Sequence, residues 1–350
     1  MLSGRRALPL ALMAGVCTMA MVACSSAQPG TAVSPSVAQS PTMAVSAQGG
    51  PTKKKQKKWV SGAAGEGVGD GSLAKWRGRK VGIAATWNEK FESQQHYWTL
   101  QPGAEYGSWR GDMDIAVGSI YKDRGETWAS AAKGDYDARW TASLQALRAA
   151  WAGRPGTLYI RFAHEFNGNW FDWQVRKYEL RDFVRSWRRY RALQKAILPS
   201  AKLVFCPNDG TVRADGYDWR KAFPGKKYVD VMSVDSFNQW PFVSTKAEFR
   251  AKIMGVDAFG APLGIEQHRR YAKSVGLPFA ISEWSSNASF GDSPVYVRQF
   301  HKWVSTYAGR GPGRIRYEIL FNVRDDASGV FQMYSSTLMP KAARAYRKNF

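Results

Sequence analysis

Between Val81 and Lys348, short apolar runs of strand character take turns with longer stretches of helical spacing, and few folds are open to a chain with that rhythm. The strand-like runs are Val81–Trp87, Met113–Ile120, Thr157–Phe162, Lys202–Cys206, Val229–Val234, Pro278–Ser282 and Tyr317–Phe321. Among the helical stretches, 138–152 places Trp140, Leu144, Leu147 and Trp151 on one stripe, and 178–198 does the same with Phe183, Trp187, Tyr190, Leu193 and Ile197. Further helices are expected at 263–275, 293–308 and 338–348. Strands separated by helices run parallel. Seven are visible, and an eighth within Tyr97–Ser108 would close the sheet, so the expected fold is a single α/β domain, a (β/α)8 TIM barrel over residues 59–350. The rival, an open doubly wound sheet, lacks its Gly-rich phosphate fingerprint after the first strand.

Residues 1–58 do not share this rhythm. Arg5 and Arg6 precede an apolar run from Ala7, shorter than a membrane span needs, and small residues lead to Cys24, the pattern of an export signal. Met-Val-Ala-Cys at 21–24 resembles the lipobox of bacterial lipoproteins. Residues 1–23 are therefore expected to be removed and Cys24 lipidated, with ordinary secretion as the alternative. Ser25–Thr52 is uncharged and poor in large apolar groups, and with the lysine run at 53–58 it forms an expected disordered tether over 24–58. Cys17 lies in the signal, Cys24 would carry lipid and Cys206 sits alone in an apolar run, so no disulfide is available and the domain must rely on its core.

The formal charge is +22, of which residues 59–350 keep +15. That balance favours anionic surfaces or an acidic polymer; an export signal argues against nucleic acid. The expected partners are a polysaccharide, an anionic one included, and the membrane through the N-terminal lipid, with the chain a monomer.

In parallel barrels chemistry gathers where strands end. Glu165 closes TLYIRFAHE and Glu283 closes PFAISE. Strict alternation would set Arg161, Ala163 and Glu165 on one face, and Phe279, Ile281 and Glu283 on one face of the later strand, so that both carboxyls meet at the barrel mouth. Two carboxyls are what glycoside cleavage requires, one protonated to release the leaving sugar oxygen and one ionised to meet the anomeric carbon. Repulsion and burial push such a pair apart in pKa. Trp170, Trp173 and Trp284, beside the two glutamates, suit stacking against sugar faces.

RFAHEFNGNWFDW, residues 161–173, resembles the Arg-x-x-His-Glu-Met-Asn-Gly-x-Trp block of glycoside hydrolase family 26, with Phe166 at the methionine position, and FAISEWS resembles its second signature. The resemblance runs roughly over 80–345 and implies a clan A barrel with Glu165 after strand four as general acid/base and Glu283 after strand seven as nucleophile. It implies that His164 binds substrate or orients the glutamate, and it gives Asn167 and Asn208 family-like positions that turn formation explains equally well. Phe237 in VDSFNQW stands where the family has a tyrosine whose hydroxyl holds the nucleophile, so either another donor substitutes or activity is low. Asp235, Asn238 and Trp240 share that loop and are candidates to contribute, with turn capping the alternative for Asp235, and a buried Arg161 would need a carboxylate partner. Phe321 and Asn322 stand where many clan members place a tryptophan platform.

The expected activity is thus that of an extracellular retaining endo-β-glycosidase acting by double displacement, on β-mannan by resemblance. An exopolysaccharide-processing or transglycosylating enzyme and a catalytically silent carbohydrate-binding lipoprotein are the alternatives, the last encouraged by Phe237. His96, His164, His268 and His301 lack the spacing of a metal site, and no cofactor is expected.

Overall fold

The computed structural model describes residues 59–211, 216–324 and 328–350. Residues 1–58, with the expected export signal, Cys24 and the expected tether, lie outside the described residues. Among those described, no helix is long and apolar enough to cross a membrane.

Nine strand segments of the described residues form one parallel sheet: β1 Val60–Gly65, β2 Ile83–Asn88, β3 Asp112–Val117, β4 Leu158–Phe162, β5 Lys202–Phe205, β6 Val231–Met232, β7 Asp235–Asn238, β8 Phe279–Ser286 and β9 Ile315–Asn322. β6 and β7 are two halves of the sixth stave. β6 bonds β5 and β8 at the base, whereas β7 continues beside β8, with Asp235 opposite Glu283. β1 pairs with both β2 and β9, which closes eight staves into a (β/α)8 barrel.

The eighth stave is not where the apolar pattern suggested. Residues 97–108 hold a short 3₁₀ turn, Trp98–Leu100, and a run of turns; the missing stave is β1, at the start of the domain. Its sequence, VSGAAG, carries almost no large apolar side chain. Packing explains this: a Cβ on Gly62 would lie 2.4 Å from both the side chain and the carbonyl oxygen of Ile83, so the strand can approach β2 only because it is small.

Among the described residues, eight helices complete the fold: α1 Ser72–Arg77, α2 Trp128–Lys133, α3 Asp137–Trp151, α4 Leu180–Ile197, α5 Lys246–Ile253, α6 Ile265–Ser274, α7 Pro294–Tyr307 and α8 Pro340–Asn349. The five expected helices appear within a few residues of their sequence bounds. α7 starts where the Ser293 side chain accepts from the backbone N–H of Tyr296 and Pro294 takes the first turn, two ordinary start signals. The aromatic stripes of α3 and α4 face the barrel. Phe162 of β4 stacks on Tyr190 at 3.9 Å and meets Trp140 and Trp187 edge-on, and its burial alone contributes about 2–3 kcal/mol.

Inside the barrel, the base is plugged by Ala64, Ile83, Ala85, Tyr159, Val204, Val231, Ala280, Tyr317 and Ile319, with Cys206 among them as a small buried hydrophobe carrying a free thiol. Above this plug the interior turns polar.

Candidate active site

Arg161 is the centre of that polar layer. It follows Tyr159 by two residues on the inward face of β4 and is fully buried. Its Nε donates to Asp114 Oδ1 at 2.6 Å, and its Nη1 donates to Asp235 Oδ2 at 3.1 Å and to Glu283 Oε1 at 2.7 Å. One cation therefore ties carboxylates from β3, β7 and β8, which meets the requirement that a buried arginine be paired. Asp235, for which the sequence left a contribution to the site and a turn cap open, is a strand residue in this network. Asp114 is held in turn by the hydroxyls of Ser282 and Tyr317, each at 2.9 Å.

Glu283 reaches the interior by a route alternation does not give. Phe279 and Ile281 point outward into the helix-facing core, whereas Ala280 and Ser282 face the barrel interior. The β8–β9 register shifts between Ile281 and Trp284, and this irregularity lets the successive residues Ser282 and Glu283 both point inward. Glu283 also lies within β8 rather than at its end, because β8 runs on beside β7 to Ser286. The indole Nε1 of Trp87 on β2 donates to Glu283 Oε1 at 2.9 Å.

Glu165 arrives by a kink. β4 stops at Phe162, and Ala163 and Glu165 then take φ values of 52° and 51°, a left-handed conformation that costs a residue with a side chain roughly 1–3 kcal/mol. Neighbouring staves hold it: Ala163 N–H bonds Val117 O, and Glu165 N–H bonds Cys206 O at 2.8 Å. As a result Ala163 packs in the outer core, contrary to the alternation of 161, 163 and 165, while His164 and Glu165 both face the cleft. Asn208 Nδ2 donates to Glu165 Oε1 at 2.6 Å and Trp170 Nε1 donates to Oε2 at 2.7 Å. Asn167 is buried and fixes this arrangement from below. Its side chain donates to the carbonyls of Asn208 and Gly210 and accepts from Asn208 N–H. Gly168 is required too, since a Cβ there would lie 2.5 Å from the Trp170 ring.

These surroundings separate the two glutamates electrostatically. Burial, followed by the Glu283 charge, pushes Glu165 up to about 8, against the pull of its two neutral donors and Arg161. Burial also raises Glu283, but the Arg161 guanidinium and the Trp87 N–H draw it back towards its ionised form. Asp235 is pushed well above the carboxylate range by burial and by Glu283. His164 is held well below its usual value by burial and Arg161, so it is neutral; its Nε2 lies 3.2 Å from Glu89 Oε1.

Glu165 and Glu283 line the same cleft, about 670 Å³, a size suited to a small-molecule or oligomer segment. His164, Trp170, Asn208, Phe237 and Trp240 line it as well, with Trp170 46% and Trp240 71% exposed. Three expected residues do not, the first being Asn167, which is fully buried against Asn208 and Gly210. Trp284 is fully buried on the opposite face of β8, packed on Phe300 and Phe350, and its Nε1 donates to Glu318 Oε2 at 2.5 Å. Its adjacency to Glu283 in sequence is what turns it away. Trp173 is also buried, stacked at 4.4 Å behind Phe171, which takes the place at the cleft wall. Trp87, Asp114, Glu89, Phe171 and Phe331 were not singled out from the sequence. Trp87 ends a visible strand run, which was the available signal, whereas Asp114 is one of many acids until Arg161 is placed beside it.

His164, Asp235 and Glu283 offer ligand atoms within 4.8 Å of one another. The Arg161 guanidinium already bonds two of the three, setting a fixed positive charge where a cation would sit.

Among known proteins, the profile of Glycosyl hydrolase family 26 matches residues 114–260. No curated protein matches the chain. Solved structures share the fold. A family 26 β-mannanase from Bacteroides ovatus is 12% identical, with 84% of this chain and 88% of that one covered at a TM-score of 0.57. GH26C from Muricauda sp. MAR_2010_75 is 11% identical over 76% and 79% at 0.52. A structure from a study of two fungal β-1,4-galactanases is 11% identical over 83% and 99% at 0.53. The matched segment contains Arg161, His164, Glu165 and Asp235, and over those residues it bears out the resemblance to glycoside hydrolase family 26 carried by the Arg-x-x-His-Glu block.

Proposed function

We propose that this chain is a retaining endo-β-glycosidase in which Glu165 is the general acid/base and Glu283 the nucleophile. The observation that carries the reading is the unequal environment of two carboxyls in one cleft: Glu165 on neutral donors and pushed up to about 8, Glu283 on a guanidinium and an indole N–H. At neutral pH Glu165 keeps the proton that the leaving sugar oxygen needs, and Glu283 supplies the electron pair that bonds the anomeric carbon as the glycosidic bond breaks. In the second step Glu165 takes a proton from water, whose oxygen displaces Glu283 from the sugar. The donor that Trp87 supplies to Glu283 supports this reading over the silent carbohydrate binder raised by Phe237.

Trp170 and Phe171 on one wall, with Trp240 at the rim, supply stacking surfaces for a chain of sugars. A β-1,4-linked glycan is the proposed substrate. Mannan comes first on the family resemblance, and β-1,4-galactan second on the fold shared with the fungal galactanase. Export and lipid attachment at Cys24 belong to the same reading and are tested by incorporation of labelled fatty acid into the wild type but not into Cys24→Ala.

Incubating the protein with a panel of β-1,4-glycans and following the first-formed anomer by NMR tests the mechanism. The β anomer is expected, with activity falling as pH rises past about 8, where Glu165 loses its proton. Initial release of the α anomer would show inversion and remove the nucleophile role.

A further inference from the structure

We propose that Trp87 is the residue that positions the nucleophile, its indole N–H holding one oxygen of Glu283 so that the other faces the sugar. The inference rests on the reading of Glu283 as nucleophile.

Glu283 Oε1 receives two N–H groups, Arg161 Nη1 at 2.7 Å and Trp87 Nε1 at 2.9 Å, and no described residue donates to Oε2. Arg161 is shared: the same guanidinium bonds Asp114 and Asp235, so its place is dictated by three carboxylates at once. Trp87 donates to Glu283 alone. Its inward direction follows from Ile83 and Ala85, which precede it at steps of two on β2 and face the barrel interior. The ring is wedged edge-on against Phe321 at 5.5 Å, and Phe321 meets Phe237 at 5.4 Å and Phe331 at 5.7 Å. This wall of three phenyl rings has no hydrogen to donate, so Trp87 is its one polar member.

With Oε1 doubly held, Oε2 is the atom that bonds C1 as the glycosidic C1–O bond breaks and the leaving oxygen takes the proton of Glu165. In the second step water oxygen bonds C1, Glu165 takes its proton, and the C1–Oε2 electron pair returns to the carboxylate. The Trp87 N–H stabilises the charge that reappears on Oε1. Losing it should therefore slow release of the enzyme from the sugar and make Glu283 easier to protonate.

The test is Trp87→Phe, which keeps a ring and removes the donor, measured on a β-glycan that the wild type cleaves. The acidic limb of the kcat/KM profile is expected to rise by about one pH unit, and kcat to fall at least about tenfold. The glycosyl-enzyme formed from a 2-deoxy-2-fluoro glycoside should turn over more slowly. In Trp87→Phe/Phe237→Tyr, a hydroxyl from β7 should bring the limb back. Phe237→Tyr alone should move the limb by less than about 0.3 unit, because a donor is already present. A Trp87→Phe enzyme changed only in KM overturns the proposal. So does a downward shift of about a full unit in Phe237→Tyr alone, a result that does not depend on Trp87→Phe folding. If the fluoro sugar labels a residue other than Glu283 in the wild type, the reading of the nucleophile fails, and the role of Trp87 with it. Labelling at Glu283 together with an indifferent Trp87→Phe isolates the failure to Trp87.

Discussion

Replacing Glu165 by glutamine should make the protein less stable in acid and more stable in alkali, and the crossing point can be worked from the site. A free glutamate takes its proton near 4.5, and burial with the neighbouring Glu283 charge moves that of Glu165 to about 8. Between these values the folded state holds a proton that the unfolded chain has released, so wild-type stability falls as pH rises through that window. At about 1.36 kcal/mol per pH unit, the full displacement is on the order of 4–5 kcal/mol, reached above pH 8 and absent below 4.5. Glutamine removes this term but brings a fixed cost. Asn208 Nδ2 and Trp170 Nε1 donate to opposite oxygens of Glu165, and an amide offers only one acceptor, so one donor loses its partner at about 1–2 kcal/mol whatever the pH. The variant should therefore be weaker by that amount near pH 4.5, equal to wild type near pH 6, and stronger by roughly 3 kcal/mol at pH 9. Urea midpoints taken at several pH values give the difference curve directly. A flat difference between pH 5 and 8, or one that grows in favour of the wild type, would refute the claim that Glu165 is a desolvated, proton-retaining carboxyl.

Arg161→Met should cost about 3–5 kcal/mol at pH 7 by urea unfolding, since it leaves three buried carboxylates without their cation. The loss should ease in acid, where protonation of the upward-shifted Asp235 and Glu283 relieves the repulsion. Trp284→Phe removes the indole donor to buried Glu318 and should lower stability by about 1–3 kcal/mol, while KM for a glycan stays within about twofold of wild type, because the ring is outside the cleft. Gly168→Ala drives a methyl into the Trp170 ring; kcat/KM should fall about tenfold, and the basic limb should move to higher pH as the Trp170 donor, which favours ionised Glu165, is displaced.

Local signals were enough for the barrel and for much of the cleft. The alternation of apolar runs with amphipathic helices set the parallel staves, because both periods are written into neighbouring residues. The block from Arg161 to Trp173 carried Glu165, His164 and Trp170, since a kinked loop and the side chains it presents come from one continuous segment. What the sequence could not show depends on contacts between staves. β1 is a strand only because its small residues fit against Ile83, and the register shift in β8 that brings Glu283 inward and sends Trp284 outward is set by pairing with β9. The donor to Glu283 comes from β2, 196 residues away in the chain, and the partners of Arg161 come from three other staves. Period and propensity describe how a residue sits relative to its neighbours in the chain; which charges neutralise one another is decided only when the ring closes and fixes distances across it.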